Sequence, residues 1–170
     1  HAGQMWPRGN PVATKLTKEA DVILAIGTRL GFNSTFYSFE NINKRAKIIQ
    51  VELEKKMLGR YFPIKIGINA DAATTANQLL IEFKKQKIKT EVKTWTDNYK
   101  KERSNYLFQR NSIFAKNFPI QPQGLFKELR KVLPKNSAIT LDAGTLCLQA
   151  TDALEYYNPP SLFTPLDFGL

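Results

Sequence analysis

The sequence contains very little of the chemistry on which cysteine- and histidine-based sites depend. Its 170 residues include one cysteine, Cys147, and one histidine, His1. A single thiol excludes an internal disulfide and a thiolate metal cluster, which favours a reducing compartment, so we predict a cytoplasmic location. One histidine at the start of the chain gives no support for a nucleophile-and-base pair. We therefore predict no catalytic residue and no metal ligand among these residues.

Long apolar runs are also missing. No run approaches the roughly 20 residues of a transmembrane helix, so we predict no membrane association. The first ten residues, HAGQMWPRGN, contain no initiator methionine and no basic segment followed by an apolar one, as a signal peptide would. We expect the chain to be an internal fragment that is truncated at its beginning.

Acidic residues are few: the sequence contains 15 aspartates and glutamates and 25 lysines and arginines, which gives a net charge of +10. Such a balance suits a binder of polyanions. The lysines are dispersed, however, and only KKQKIK, from Lys84 to Lys89, forms a tight run. Without a recognition motif, a basic nucleic-acid-binding protein is the third-ranked interpretation, and we predict no nucleic-acid partner.

Three apolar runs rich in β-branched residues predict buried parallel strands. They extend from Val22 to Ile26, from Ala46 to Leu53 and from Ile64 to Ile68, with segments between them long enough for crossover helices. A helix should follow, with Asp71 as its N-cap and one apolar face. That face contains Ala72, Ala76, Leu79, Leu80 and Phe83. The pattern predicts an α/β fold with a Rossmann-like parallel sheet.

A second α/β unit should begin after a charged connection. WTDNYKKERSNYLFQRN predicts a helix that ends at the prolines of FPIQPQ. GLFKELRKVLP predicts a short amphipathic helix, and SAITLDAG predicts a strand that runs into a glycine turn. We predict a central domain over residues 1–86, a linker with a helix over 87–119, and the truncated start of a second domain over 120–170.

Turns at the ends of predicted strands are the candidate binding positions. In open α/β sheets ligands bind at the carboxyl ends of the strands, which draws attention to Gly27 and to Glu52. Gly144 precedes a predicted helix, so the amides of Thr145 and Leu146 could meet a phosphate. The residues alone leave alternatives open, because Gly27 and Gly144 can form turns that bind no ligand and Glu52 can simply be solvated.

Taken in order, these segments resemble thiamine-diphosphate-dependent enzymes of the acetolactate-synthase type. ADVILAIGTRLG, AKIIQVELEKKMLGR and GINADA are similar to segments of the family's central domain. QPQGLFKELRKVLP, AITLDAGT and PPSLFTPLDFGL are similar to the opening of its diphosphate-binding domain. GTRLGFNSTF, AKIIQVE and IGI look closer to the sulfoacetaldehyde acetyltransferase branch than to pyruvate decarboxylases.

The resemblance implies two cofactor sites. In the central domain, FAD or another nucleotide would lie near the residues that match the family's motifs: Gly27, Thr28, Arg29, Glu52, Asp71 and Ala72. Thiamine diphosphate would lie near a second set: Gly144, Thr145, Leu146 and Gly169. Two departures stand out: Asn69-Ala70 replaces the usual apolar residue and glycine before G-D-A, and Thr145-Leu146 replaces the Gln and His of a G-Q-H turn.

For the intact enzyme the resemblance implies a magnesium-dependent transferase or lyase that acts on a 2-oxo acid or aldehyde, as a homodimer or homotetramer. The segment that binds magnesium and the glutamate that activates the cofactor lie outside these residues, so we expect the fragment itself to be inactive. The competing interpretation is a non-catalytic nucleotide-binding module with a Rossmann-like fold.

Overall fold

A computed structural model describes residues 2–5, 9–87, 91–112 and 118–164. Three parallel strands form the first sheet: β1 (Val22–Ile26), β2 (Lys47–Glu52) and β3 (Ile66–Asn69), in the order β1-β2-β3. In the register, Leu24 lies beside Ile49 and Ile49 beside Ile66, so side chains of all three strands form rows across the sheet. The predicted α/β class with a parallel, Rossmann-like sheet is confirmed.

The limits of the strands agree with the sequence pattern for the first two strands and differ for the third. The first strand has its predicted limits, and the second is one residue shorter at each end. The prediction that the third strand runs from Ile64 to Ile68 was wrong, because pairing with β2 begins at Ile66 and continues to Asn69. Ile64 instead packs against the hydrophobic core. Pairing register is decided by the neighbouring strand, which an apolar run does not reveal.

Helices flank the first sheet. They are α1 (Pro11–Glu19), the single-turn α2 (Phe32–Thr35) and α3 (Ala72–Gln86). The connection between β2 and β3 contains only a 3₁₀ turn, Lys55–Met57, and not the crossover helix that its length allowed. One core cluster lies between the sheet and these connections, and its buried members are Ala25, Leu30, Ile42, Ile48 and Phe62.

Helix α3 begins as predicted, and much of its apolar face is exposed. Asp71 caps it, since its Oδ1 accepts a hydrogen bond from the Thr74 amide at 2.8 Å. The predicted apolar face does not become core, because Leu80 and Phe83 are each about half exposed. Among the described residues of α3, only Thr75 is buried. The helix therefore covers the sheet mainly through its first turns.

A long helix, α4 (Lys93–Ser112), lies within the predicted linker and contains no buried residue. It contacts α1 on one side, where Lys15 pairs with Glu102. On the other side it contacts α5 (Pro122–Val132). Helix α4 therefore touches both units of the chain while contributing nothing to either apolar core.

The second unit is small. After α5 it contains β4 (Ile139–Thr140), α6 (Thr145–Ala153) and β5 (Leu162–Phe163), and the two short strands pair in parallel. The predicted strand over SAITLDAG is thus reduced to two residues. Its core consists of Phe126, Ala150 and Leu154, which join α5 to α6. The helix predicted after Gly144 is present.

Candidate functional site

An open pocket lies at the carboxyl ends of the three parallel strands and has a volume of about 490 Å³. It is formed by the segments that follow β1, β2 and β3. Its lining contains Gly27, Thr28, Arg29, Val51, Glu52, Leu53, Ala70, Asp71 and Ala72. Six of the ten residues predicted to bind a cofactor are therefore gathered at one edge of the sheet.

The turn after β1 brings bare backbone into the pocket. Gly27 has a φ of +62°, in the left-handed region that residues with a Cβ rarely adopt. Its amide donates to the Val51 carbonyl at 3.0 Å, which ties the turn to β2. A Cβ at this position would lie 3.4 Å from the Cβ of Ala72. Glycine thus allows the loop and the start of α3 to approach each other closely.

Gln50 was not predicted, yet it holds two loops beside the pocket. Its side chain is 2% exposed. The Nε2 group donates to the Thr28 carbonyl at 3.1 Å, and Oε1 accepts from the Gly59 amide at 2.8 Å. The only signal in the sequence is one amide within the apolar strand KIIQVE. A buried polar group needs partners, so such a residue should have been expected to organise neighbouring backbone.

Glu52 ends β2 with its side chain directed toward local backbone. The residue is 9% exposed, and Oε1 accepts a hydrogen bond from the Glu54 amide at 3.1 Å. Asn69, also not predicted as a site residue, donates from Nδ2 to the carbonyls of Glu52 and Leu53 at 2.9 and 2.7 Å. Together these contacts fix the second wall of the pocket.

Charged side chains surround the rim. Arg29 lies with its Nη2 3.3 Å from Oε2 of Glu54, and the other Glu54 oxygen is 2.7 Å from the Lys56 ammonium. The hydrogen bond from Lys56, followed by the charges of Lys56 and Arg29, holds the pKa of Glu54 below its usual value. All three side chains are substantially exposed, so this rim can reorganise around an incoming anion.

The third wall is the start of α3. Backbone amides of the first turn, led by that of Thr74, lower the pKa of Asp71, so this carboxylate stays ionised at the helix N-terminus. A helix N-terminus often attracts phosphate, but here a carboxylate already fills that role. The two carboxylates of the pocket lining, those of Glu52 and Asp71, are hydrogen-bond acceptors. The pocket is suited to hydroxyl or amino donors, with Arg29 placed to meet an anionic group at the rim.

The second predicted position is the turn before α6. Gly144 occupies the N-cap with a φ of +136° and provides no side-chain cap. No described atom lies within 4 Å of a Cβ built on it, and the Leu146 side chain is 52% exposed. Thr145 and Leu146 are therefore the first residues of a helix whose N-terminus is capped by no side chain of the described residues. Gly169, the last predicted site residue, lies outside the described residues.

The aromatic residues near the first turn pack mainly against one another. The rings of Phe32 and Phe36 lie 4.8 Å apart, and those of Tyr37 and Tyr61 are stacked at 4.4 Å. Phe39 meets Phe62 edge-on in the core. None of these rings lines the pocket at the sheet edge.

Two kinds of feature are absent from the described part of the chain. No group of three or more histidine, cysteine, aspartate or glutamate side chains is arranged there to hold a metal ion. Within the same residues, no helix combines the length and the apolar character needed to cross a bilayer.

Residues 1–79 match the model of the thiamine pyrophosphate enzyme central domain. This stretch includes the three strands of the first sheet and every residue of the pocket lining. The predicted resemblance of the first unit to that domain is confirmed.

Similar proteins cover nearly the whole chain. A sulfoacetaldehyde acetyltransferase of Alcaligenes xylosoxydans xylosoxydans is 29% identical over 99% of this chain and 32% of its own length. Proteins of the same name from Castellaniella defragrans and Roseovarius nubinhibens are 27% and 28% identical, over 98% and 100% of the chain. The chain spans about a third of the length of the curated relatives it matches.

Proposed function

We propose that this chain, whose first 79 residues match the thiamine pyrophosphate enzyme central domain, is part of a thiamine-diphosphate-dependent carboligase or decarboxylase that acts on a 2-oxo acid or a related carbonyl compound. The observation that supports this proposal is the order of its parts: a sheet-edge pocket in the first unit, then a glycine turn before α6 in the second. The relatives named above point to sulfoacetaldehyde as the first substrate to test.

The turn at Gly144 fits one end of thiamine diphosphate. The N-terminus of α6, which no side chain of the described residues caps, places the Thr145 and Leu146 amides where a diphosphate can accept from them, and glycine leaves room for its oxygens. Thr145 adds a hydroxyl donor. The bound cofactor supplies the carbanion chemistry, whereas these residues bind and orient its diphosphate. A magnesium ion would share the diphosphate, held by segments other than those described.

The pocket at the sheet edge fits the nucleoside part of a nucleotide. Ribose hydroxyls can donate to the carboxylate of Glu52, an exocyclic amino group can donate to Asp71, and Arg29 can meet a phosphate at the rim. The lining contains no aromatic ring on which a flavin would stack. We therefore propose an adenine nucleotide here and do not extend the proposal to FAD.

Calorimetric titration of the chain with ADP tests the pocket. Glu52→Gln should weaken binding about tenfold, since it removes a charged acceptor. Glu82→Gln, which changes an exposed carboxylate on α3, should leave the affinity unchanged. If ADP produces no heat, the proposed nucleotide site is wrong, whether or not the enzyme assignment holds.

Assay of the intact protein encoded by the surrounding reading frame tests the enzyme. With thiamine diphosphate and Mg²⁺ it should consume sulfoacetaldehyde or a 2-oxo acid, whereas residues 1–170 alone should show no turnover. In the family this activity implies a cytoplasmic homodimer or homotetramer, which sedimentation of the same protein would establish. Absence of turnover with every carbonyl substrate, together with loss of thiamine diphosphate binding, would refute the proposal.

One alternative is supported by the pocket itself. A non-catalytic module with this fold would bind a nucleotide at the sheet edge and have no use for the turn at Gly144. It predicts ADP binding that depends on Glu52, together with no binding of thiamine diphosphate by the intact protein. A loss of thiamine diphosphate affinity in Gly144→Val would decide for the enzyme.

A further inference from the structure

The carboxylate of Asp152, on the last turn of α6, accepts hydrogen bonds from two segments that are distant in sequence. Its Oδ1 accepts from Asn10 Nδ2 at 3.2 Å. Its Oδ2 accepts from the Tyr106 hydroxyl at 2.6 Å and lies 3.3 Å from Nη1 of Arg110. The same Arg110 nitrogen donates to the Asp152 carbonyl at 2.7 Å. One residue of the second unit is thus bound by the first unit and by α4.

Asn10 is committed to this position from its other side. Its Oδ1 accepts from the Ala13 amide at 2.9 Å and so caps α1. Its Nδ2 also donates to the Ala2 carbonyl at 3.0 Å. The residue is fully buried. A single amide therefore connects the start of α1, the N-terminal segment and α6.

The cluster is largely shielded from solvent and pairs one carboxylate with one guanidinium group. The side chains of Arg110 and Asp152 are each 10% exposed. The Tyr106 ring lies between two guanidinium groups, with Arg103 5.6 Å and Arg110 6.0 Å from its centre. Removing either charged member of the pair Arg110–Asp152 leaves the charge of the other without compensation, which destabilises the folded chain.

Apolar packing contributes little at this junction. Helix α4 contacts both α1 and α5 but buries none of its own residues. The two core clusters, one around Ile48 and one around Phe126, share no member. Among the ion pairs of the described residues, that of Arg110 with Asp152 is the least exposed.

We propose that Asn10, Tyr106, Arg110 and Asp152 form a polar latch that locks α6 to the first unit, with Asp152 as a positioning residue for the whole helix. The latch makes the two small units open and fold together. It also fixes the direction in which α6, and hence the turn at Gly144, faces relative to the first sheet. This inference does not depend on the nature of any ligand.

Native-state hydrogen exchange of the 170-residue chain tests the latch. In the wild-type chain, amides of α1 and α6 should open in one event. Asp152→Asn should raise the opening equilibrium of α6 about tenfold to a hundredfold, since it replaces a charged acceptor of several hydrogen bonds. Amides of β2 should keep their protection. The matched control is Glu155→Gln, a nearby carboxylate bonded to Tyr157 within its own unit.

Swapping the side chains of Asn10 and Asp152 gives a sharper test. Asn10→Asp preserves the cap of α1, because aspartate caps as well as asparagine, but it removes the donor and sets two carboxylates side by side. Adding Asp152→Asn to Asn10→Asp restores one donor and one acceptor. The double variant should therefore open less than Asn10→Asp alone.

The exchange rates of the α6 amides distinguish the outcomes that support the latch from those that overturn it. Equal α6 exchange in Asp152→Asn and Glu155→Gln, or strictly additive effects in the double variant, would overturn the latch. If Asp152→Asn does not fold, Tyr106→Phe decides, because it deletes only one hydroxyl: faster exchange confined to α6 supports the latch, and wild-type exchange refutes it.

Discussion

Replacing Gln50 by methionine should loosen the pocket at the sheet edge without altering the strand that contains it. Methionine has nearly the same length as glutamine but can neither donate to Thr28 nor accept from Gly59. Both loops are partly open to solvent, so water replaces the lost partners in part. Two hydrogen bonds at about 0.5–1.5 kcal/mol each then give a loss of about 2 kcal/mol in the free energy of unfolding.

For a chain of this size, that loss corresponds to a decrease in Tm of about 4–8 °C. Urea unfolding followed by circular dichroism measures it, with an unchanged slope against urea as the sign that only stability has changed. Gln78→Met, on the exposed surface of α3, is the matched control and should change stability by less than about 0.5 kcal/mol. A Gln50→Met chain as stable as that control, with the Gly59 amide still protected from exchange, would show that Gln50 does not hold the loops.

Three further outcomes follow from the same geometry. Gly27→Ala forces a side chain into the left-handed region and should cost about 1–2 kcal/mol, whereas Gly31→Ala, in extended backbone, should cost much less when the two are unfolded in urea. The amide of Thr74 lowers the pKa of Asp71 in the folded chain. The stabilisation that Asp71 contributes is therefore present above the pKa of the unfolded chain and is lost as pH falls through the pKa of the folded chain. The urea midpoint of the wild-type chain should fall more steeply toward pH 3 than that of Asp71→Asn. Burial, then a neighbouring carboxylate, raises the pKa of Tyr106 to about 12, so the stabilisation that Tyr106 contributes is lost as pH rises from the unfolded value near 10. In an ultraviolet titration, Tyr106→Phe should remove a phenol that ionises near pH 12.

Features that depend on local pattern could be predicted from the sequence. β1 has its predicted limits because five consecutive apolar residues run directly into a glycine. Asp71 was predicted as an N-cap because a short acceptor before an apolar helix satisfies amides of the first turn. The pocket followed from a rule of topology, since parallel strands place their carboxyl ends at one edge.

Features that depend on distant partners could not be predicted in this way. The apolar face of α3 is half exposed at Phe83, because spacing identifies a face but not what covers it. The start of β3 depended on its register with β2. The partners Asn10 and Asp152 are 142 residues apart, and neither has a local pattern that indicates the other.

The residues that escaped prediction share one physical property. Gln50 and Asn10 are buried amides that donate through nitrogen and accept through oxygen at the same time. A carboxylate would keep the accepting half and lose the donating half, and an apolar side chain would lose both. An uncharged amide is therefore the side chain that can join two backbone segments, or two units, without burying a net charge. Gly27, Glu52 and Gly144 supply candidate binding groups, but these amides determine where such groups are held.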